Sequence, residues 1–147
     1  MRRFILLIVA ALALMAATSC SHNNGNIGFW FGTWQCDEIA IDGVRMDGYD
    51  RNMFFKFQTS VCDIVTTYPH EEYRQHFADF KKQGDNTIIL DFSYTADGDF
   101  AYDFNPPVES MLKKGENILH YHKKGSKNVI LTFENEGKTI TYSLKKQ

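Results

Sequence analysis

Residues 31–43 read "FGTWQCDEIAIDG". A glycine, a small residue and a tryptophan open the stretch, apolar and polar side chains then interleave, and Asp42-Gly43 closes it. An apolar run that stops at an Asp-Gly pair is the signature of a strand entering a tight turn. "TWQCDEIAI" (33–41) is therefore predicted as the first strand, and the rest of the chain repeats its style.

No long stretch downstream shows a helical period. Short apolar and aromatic runs recur instead, with turn residues between them, as in an all-β chain. "NMFFKFQT" (52–59) sets Met53, Phe55 and Phe57 on one face, because alternate side chains of a strand share a side. "VCDIVTTY" (61–68) ends at Pro69, and "YRQHFADFKK" (73–82) ends at Gly84-Asp85-Asn86. "TIILDFSY" (87–94) groups Ile88, Leu90 and Phe92; Asp97-Gly98 then predicts a hairpin leading into "DFAYDF" (99–104). Asn105-Pro106-Pro107 breaks the sheet, and 108–112 is expected to make one short helical turn. Three more strands close the chain: 117–123, 128–134 and 138–145, with Ile140, Tyr142 and Leu144 sharing a face in the last. Eight or nine strands joined by short turns make neighbours in sequence neighbours in space. Such an antiparallel meander closes naturally into an up-and-down barrel, which removes exposed edges.

The N-terminus has a different composition. Arg2 and Arg3 precede an uncharged apolar run from Phe4, and Ala17, Thr18 and Ser19 lead to Cys20. A charged start, a short apolar core and small residues at the cut are the parts of a secretory signal, and the run is short for a membrane-spanning helix. The stretch "AATSC" resembles the lipobox of bacterial lipoproteins, with Ala17 where leucine is usual. That resemblance implies a signal peptide over 1–19 and lipidation of Cys20. A polar tether follows over 20–28, then the barrel domain over 29–147. No acidic run follows Cys20, which points to the periplasmic side of the outer membrane. The mature chain would hold 128 residues, one domain's worth.

Gly32-Thr33-Trp34, set at the entry to the first strand, resembles the Gly-x-Trp motif of the lipocalins. The resemblance implies an eight-stranded barrel whose closed end is plugged by Trp34, with a basic side chain packed across the indole. Lys145 and Lys146 stand where that residue is expected. It further implies an interior that holds a small apolar or amphipathic ligand. Phe55, Phe57, Phe92 and Tyr142, with Leu144, are the inward candidates. So many large aromatics in a short chain predict a mostly filled barrel with a shallow or partial cavity. Phe29, Trp30 and Phe31, just ahead of the barrel, either present a face to a partner or cap the barrel.

Net charge is −2 for the whole chain and lacks the basic excess that nucleic acid demands. The charge is uneven, with acids concentrated before residue 105 and lysines after it; pairs such as Lys113-Lys114 and Lys123-Lys124 read as solvated faces. Cys36 and Cys62 are either joined, as an oxidising compartment permits, or buried as two thiols. His120 and His122 share a strand face but supply only two of the four ligands a zinc ion needs, and Asp97, Asp99 and Asp103 miss the calcium-loop pattern. Asp37-Glu38 and Glu71-Glu72 are adjacent carboxylates, expected on opposite strand faces. No nucleophile motif or phosphate loop is present. The expectation is a binding protein with no catalytic centre, metal or cofactor, attached to the membrane through its N-terminal lipid. A protein partner acting on the outer face of a filled barrel is the alternative.

Overall fold

The computed structural model describes residues 25–94 and 103–147. Its strands are β1 (Gly32–Ile41), β2 (Val44–Arg45), β3 (Met53–Phe57), β4 (Val61–Thr67) and β5 (Tyr73–Gln83), followed by β6 (Thr87–Asp91), β7 (Glu116–Lys123), β8 (Asn128–Asn135) and β9 (Lys138–Lys146). Short 3-10 turns occupy Gly25–Trp30, Pro69–Glu71 and Val108–Ser110, the last inside the predicted helical turn. The Asp97-Gly98 hairpin and most of the 99–104 run lie outside the described residues, as do the signal segment and Cys20. Asp103 alone of that run is seen to pair, through a parallel bridge to His76.

From β3 onward each strand pairs antiparallel with its successor, and β1 joins β3 on one side and β9 on the other. Eight strands therefore close a barrel, with β2 hanging as a flap on β1. The flap forms because Asp42 and Gly43 adopt φ of 50° and 79°, the paired positive values of a two-residue hairpin turn whose twist suits the flanking strands.

β1 carries a second irregularity. Its pairing with β9 slips between Cys36 and Glu38, making Asp37 the extra residue of a bulge. Trp34, Cys36 and Ile39 consequently all point inward, and the adjacent carboxylates do not take opposite faces as the sequence reading expects. Asp37 and Glu38 both reach the outer side, where Arg51 and Arg45 pair with them.

The interior is continuous from Ile27 to Leu144. Phe55, Phe57, Phe92, Tyr142 and Leu144 all face it, with Ile64, Leu90, Leu119 and Leu131 from the intervening strands. Ile27 and Trp30 close one end from the first 3-10 turn, Leu112 closes the other, and Met46 and Tyr49 pack against the core cluster.

The two cysteines are free and buried. Cys62 stands opposite Phe57 on β3, whereas Trp34 pairs with Phe55 and Cys36 lies two residues further along β1. Two strands and about four residues separate them, on the order of 15 Å, well beyond the reach of a disulfide. The possible Cys36–Cys62 bond is corrected to two core thiols. Burial pushes the Cys36 thiol up to about 12 and raises Cys62 as well, so neither is poised as a nucleophile.

Candidate functional site

Two regions bear on function: the barrel end that holds Trp34, and the outer wall over β4, β5 and β6. At the first, Trp34 is fully buried, and its Nε1–H donates to the Trp30 carbonyl at 2.9 Å. Gly32 enters the strand at φ 113°, a conformation side chains rarely adopt, while a Cβ there would meet only the Lys146 stem at ordinary contact distance. The glycine is thus required by backbone shape. Lys146 Nζ lies 5.1 Å from the Trp34 ring centroid and donates to the Phe29 carbonyl at 2.8 Å. Partial burial lowers its pKa. Of the two lysines expected there, only Lys146 reaches the indole; Lys145 is exposed, opposite Gln35 on the outer face.

The sequence leaves Phe29, Trp30 and Phe31 either a partner face or a cap. Trp30 is the cap, 1% exposed, with its ring 5.9 Å from Trp34, 5.0 Å from Phe57 and 4.9 Å edge-on to Tyr121. The rings continue inward: Phe57 against Phe55 at 6.2 Å, Phe55 against Tyr142 at 5.5 Å, and Tyr142 against Phe133 at 5.3 Å. The Tyr142 hydroxyl donates to the Ser110 carbonyl beneath the far cap. Phe55, Phe57, Phe92 and Tyr142 all face inward, as expected, and are buried together in the core cluster along the barrel axis.

A groove is set into the outer wall. Val61, Phe77, Asp79 and Asp91 point outward from β4, β5 and β6, and Tyr94 and Phe104 stand beside them around a groove of about 410 Å³. Tyr94 and Phe104 meet edge to face at 4.6 Å, with Phe77 at 6.3 Å from Phe104. Lys114 Nζ ties the two aromatic segments together, donating to the carbonyls of Tyr94 and Phe104, each at 3.0 Å. Asp79 and Asp91 are directly opposite across β5 and β6. Sequence reasoning assigned aromatics to the interior and passed over this set. The signal was present in 73–82, where His76, Ala78 and Phe80 share the inward parity and Phe77 falls on the other.

Asp63 neighbours the groove across the β4–β5 ladder, opposite Phe77. It is 6% exposed; Gln75 donates to its Oδ2 at 2.9 Å, and Oδ1 has no partner among the described residues. Burial raises its pKa, against the opposing pull of Gln75, Lys56 and His76. A carboxyl whose folded pKa exceeds its unfolded value stabilises the fold while protonated, so this contribution is present at acid pH and is lost as pH rises through the folded pKa. Asp63→Asn is accordingly expected to raise neutral-pH stability by about 1 kcal/mol, with little effect below the ordinary carboxylate range. Urea unfolding at both pH values checks this; a loss at neutral pH would show that the Asp63 charge is stabilising.

The histidines do not assemble a centre. His120 and His122 are exposed on β7, with His120 Nδ1 3.1 Å from Thr87 Oγ1. His76 is buried and its Nδ1–H donates to the Asn105 carbonyl at 2.8 Å. Among the described residues no group of three or more His, Cys, Asp or Glu is placed to hold a metal ion.

Comparison with solved structures places the fold. The chain superposes on a lipocalin-like protein from Bacteroides uniformis with a TM-score of 0.54 and 15% identity, covering 82% of this chain and 100% of that one. An uncharacterized protein from Bacteroides eggerthii gives 0.51 and 15%, covering 80% and 99%. No protein-family model matches the chain, and no curated protein is similar to it. The all-β, closed eight-stranded barrel with its extra strand is a lipocalin-like fold.

Proposed function

We propose that the protein is a non-catalytic binding protein of the bacterial envelope, lipid-anchored at Cys20 on the periplasmic side of the outer membrane. It holds a small apolar or amphipathic molecule on the barrel wall. The groove carries this reading: three aromatic rings and Val61 gather around about 410 Å³, within the range of small-molecule sites, while the barrel axis is taken up by core rings. The ring packing along the barrel axis is why this reading puts the ligand on the wall, and not in the interior that the resemblance implies. The lipobox-like "AATSC" supports the anchor.

Native mass spectrometry of residues 21–147, purified gently from the host, tests occupancy directly. In parallel, an apolar fluorescent probe is expected to bind the wild-type domain and to lose about tenfold or more in affinity in Phe104→Ser, since a buried phenyl contributes about 1.5–3 kcal/mol. Phe104 is half-buried at the rim of the barrel, so the fold should survive. Undiminished probe binding in Phe104→Ser would remove the groove as the site.

A further inference from the structure

The lysines of this protein are not spread evenly along the barrel axis. At the end plugged by Trp34, Lys123, Lys124 and Lys127 come from the β7–β8 turn, Lys145 and Lys146 from the end of β9, and Lys81 from the end of β5. Asp85, in the β5–β6 turn, stands among them, and Asp37, paired with Arg51, shares a surface hollow with Lys124. Lys123 Nζ lies 4.4 Å from the Phe29 ring centroid, beside Lys146, so part of this rim is held in place by packing. Phe31 is exposed at the same end. The opposite end is mixed: Asp42, Asp47, Asp50, Glu71, Glu72 and Glu136 stand among arginines and lysines.

The chain enters the fold at the lysine end, through the Gly25–Trp30 turn. Four residues separate Cys20 from Gly25, and the five extended steps between them span at most about 18 Å. An anchor at Cys20 therefore holds this rim within about two Debye lengths of the lipid headgroups.

We infer that the lysine rim is a docking surface for an anionic lipid bilayer, which sets the barrel upright with its acidic-to-mixed end pointing away. Lysines near an anionic surface are attracted singly and additively, and an exposed phenylalanine amid lysines suits the boundary between headgroups and acyl chains. The inference rests on the anchored reading for where the tether leads. Its test does not, because a chain beginning at Ser21 carries no lipid and retains every core residue from Ile27 to Leu144.

That chain is mixed with vesicles of phosphatidylcholine alone or of phosphatidylcholine with phosphatidylglycerol, and the bound fraction is read by sedimentation. Binding is expected only to the anionic vesicles and should fall steeply with salt. The triple variant Lys124→Gln, Lys127→Gln, Lys145→Gln removes three exposed lysines. It should weaken binding about a hundredfold, since each lysine near the surface contributes about a factor of five. Lys113→Gln with Lys138→Gln, at the other end, should leave binding unchanged. Equal binding to neutral vesicles, or full binding by the triple variant, would overturn the inference. So would binding to a polyglutamate peptide without binding to vesicles, which would assign the rim to an acidic protein. None of these outcomes bears on lipidation of Cys20, which is read separately by detergent partitioning of the full chain.

Discussion

Replacing Trp34 by alanine is expected to destabilise the protein by about 3–5 kcal/mol, the usual cost of emptying a large aromatic site in a core. The environment argues for the upper half of that range. Trp34 has no exposed surface, touches the rings of Phe29 and Trp30 at 4.9 and 5.9 Å, and lies under the Lys146 ammonium at 5.1 Å. The substitution also removes the Nε1–H donor to the buried Trp30 carbonyl and leaves that oxygen unpaired. The cation above the ring adds about 0.5–2 kcal/mol of its own. Since a domain of this size holds only about 5–15 kcal/mol in total, Trp34→Ala should move the urea midpoint far while leaving the slope unchanged. Lys145→Ala is the control: exposed and on the outer face, it should stay within about 0.5 kcal/mol of wild type. A loss under about 1 kcal/mol for Trp34→Ala would show that the barrel does not depend on this residue for closure.

What could be read in advance follows a physical division. Alternation and turn residues are local properties, and they located the eight wall strands and the short turn at Val108–Ser110 to within two residues at each end, except that β6 stops at Asp91, three residues before the end of the 87–94 run. Closure followed from the meander, because β1 and β9 are the two edges left over and each satisfies the other. The bulge at Asp37 was also legible, though unread: the apolar positions Trp34, Cys36, Ile39 and Ile41 skip by three once, which is what an inserted residue does to a period of two. The rest depends on register between distant segments. Whether Cys36 and Cys62 meet is decided by the pairing of β3 with both neighbours, which no spacing of cysteines encodes. The groove needs Phe104 brought alongside β5, and that placement is made by long-range contacts such as the Asp103–His76 bridge and the Phe77 N–H donating to the Asp103 carbonyl, which no local pattern encodes. The choice of Lys146 over Lys145 is a matter of parity on β9, where Leu144 and Lys146 share the face of Trp34.

Trp30 is the sharper case, because it precedes every strand and local pattern gives it no reason to be buried. Trp30→Ala is expected to cost about 3–5 kcal/mol, comparable to Trp34→Ala. The comparison is informative because of how the two are joined. Trp34 donates to the main-chain carbonyl of residue 30, so alanine there keeps the hydrogen bond and removes only the ring, whose neighbours are Trp34, Phe57, Phe80 and Tyr121. The two tryptophans share one packed end, and once either is gone the other has lost part of what it packs against. The double variant should therefore cost less than the two single losses added, by about 0.5–3 kcal/mol. Trp30→Phe adds a second discrimination. The Trp30 Nε1–H is buried without a partner among the described residues, so phenylalanine discards an unsatisfied donor along with some volume, and should cost about 1 kcal/mol or less. A Trp30→Ala loss below about 1 kcal/mol, or strict additivity with Trp34→Ala, would mean that the Gly25–Trp30 turn merely rests on the barrel. In that case the chain ahead of β1 would be a tether throughout, and the fold would close on Trp34 alone.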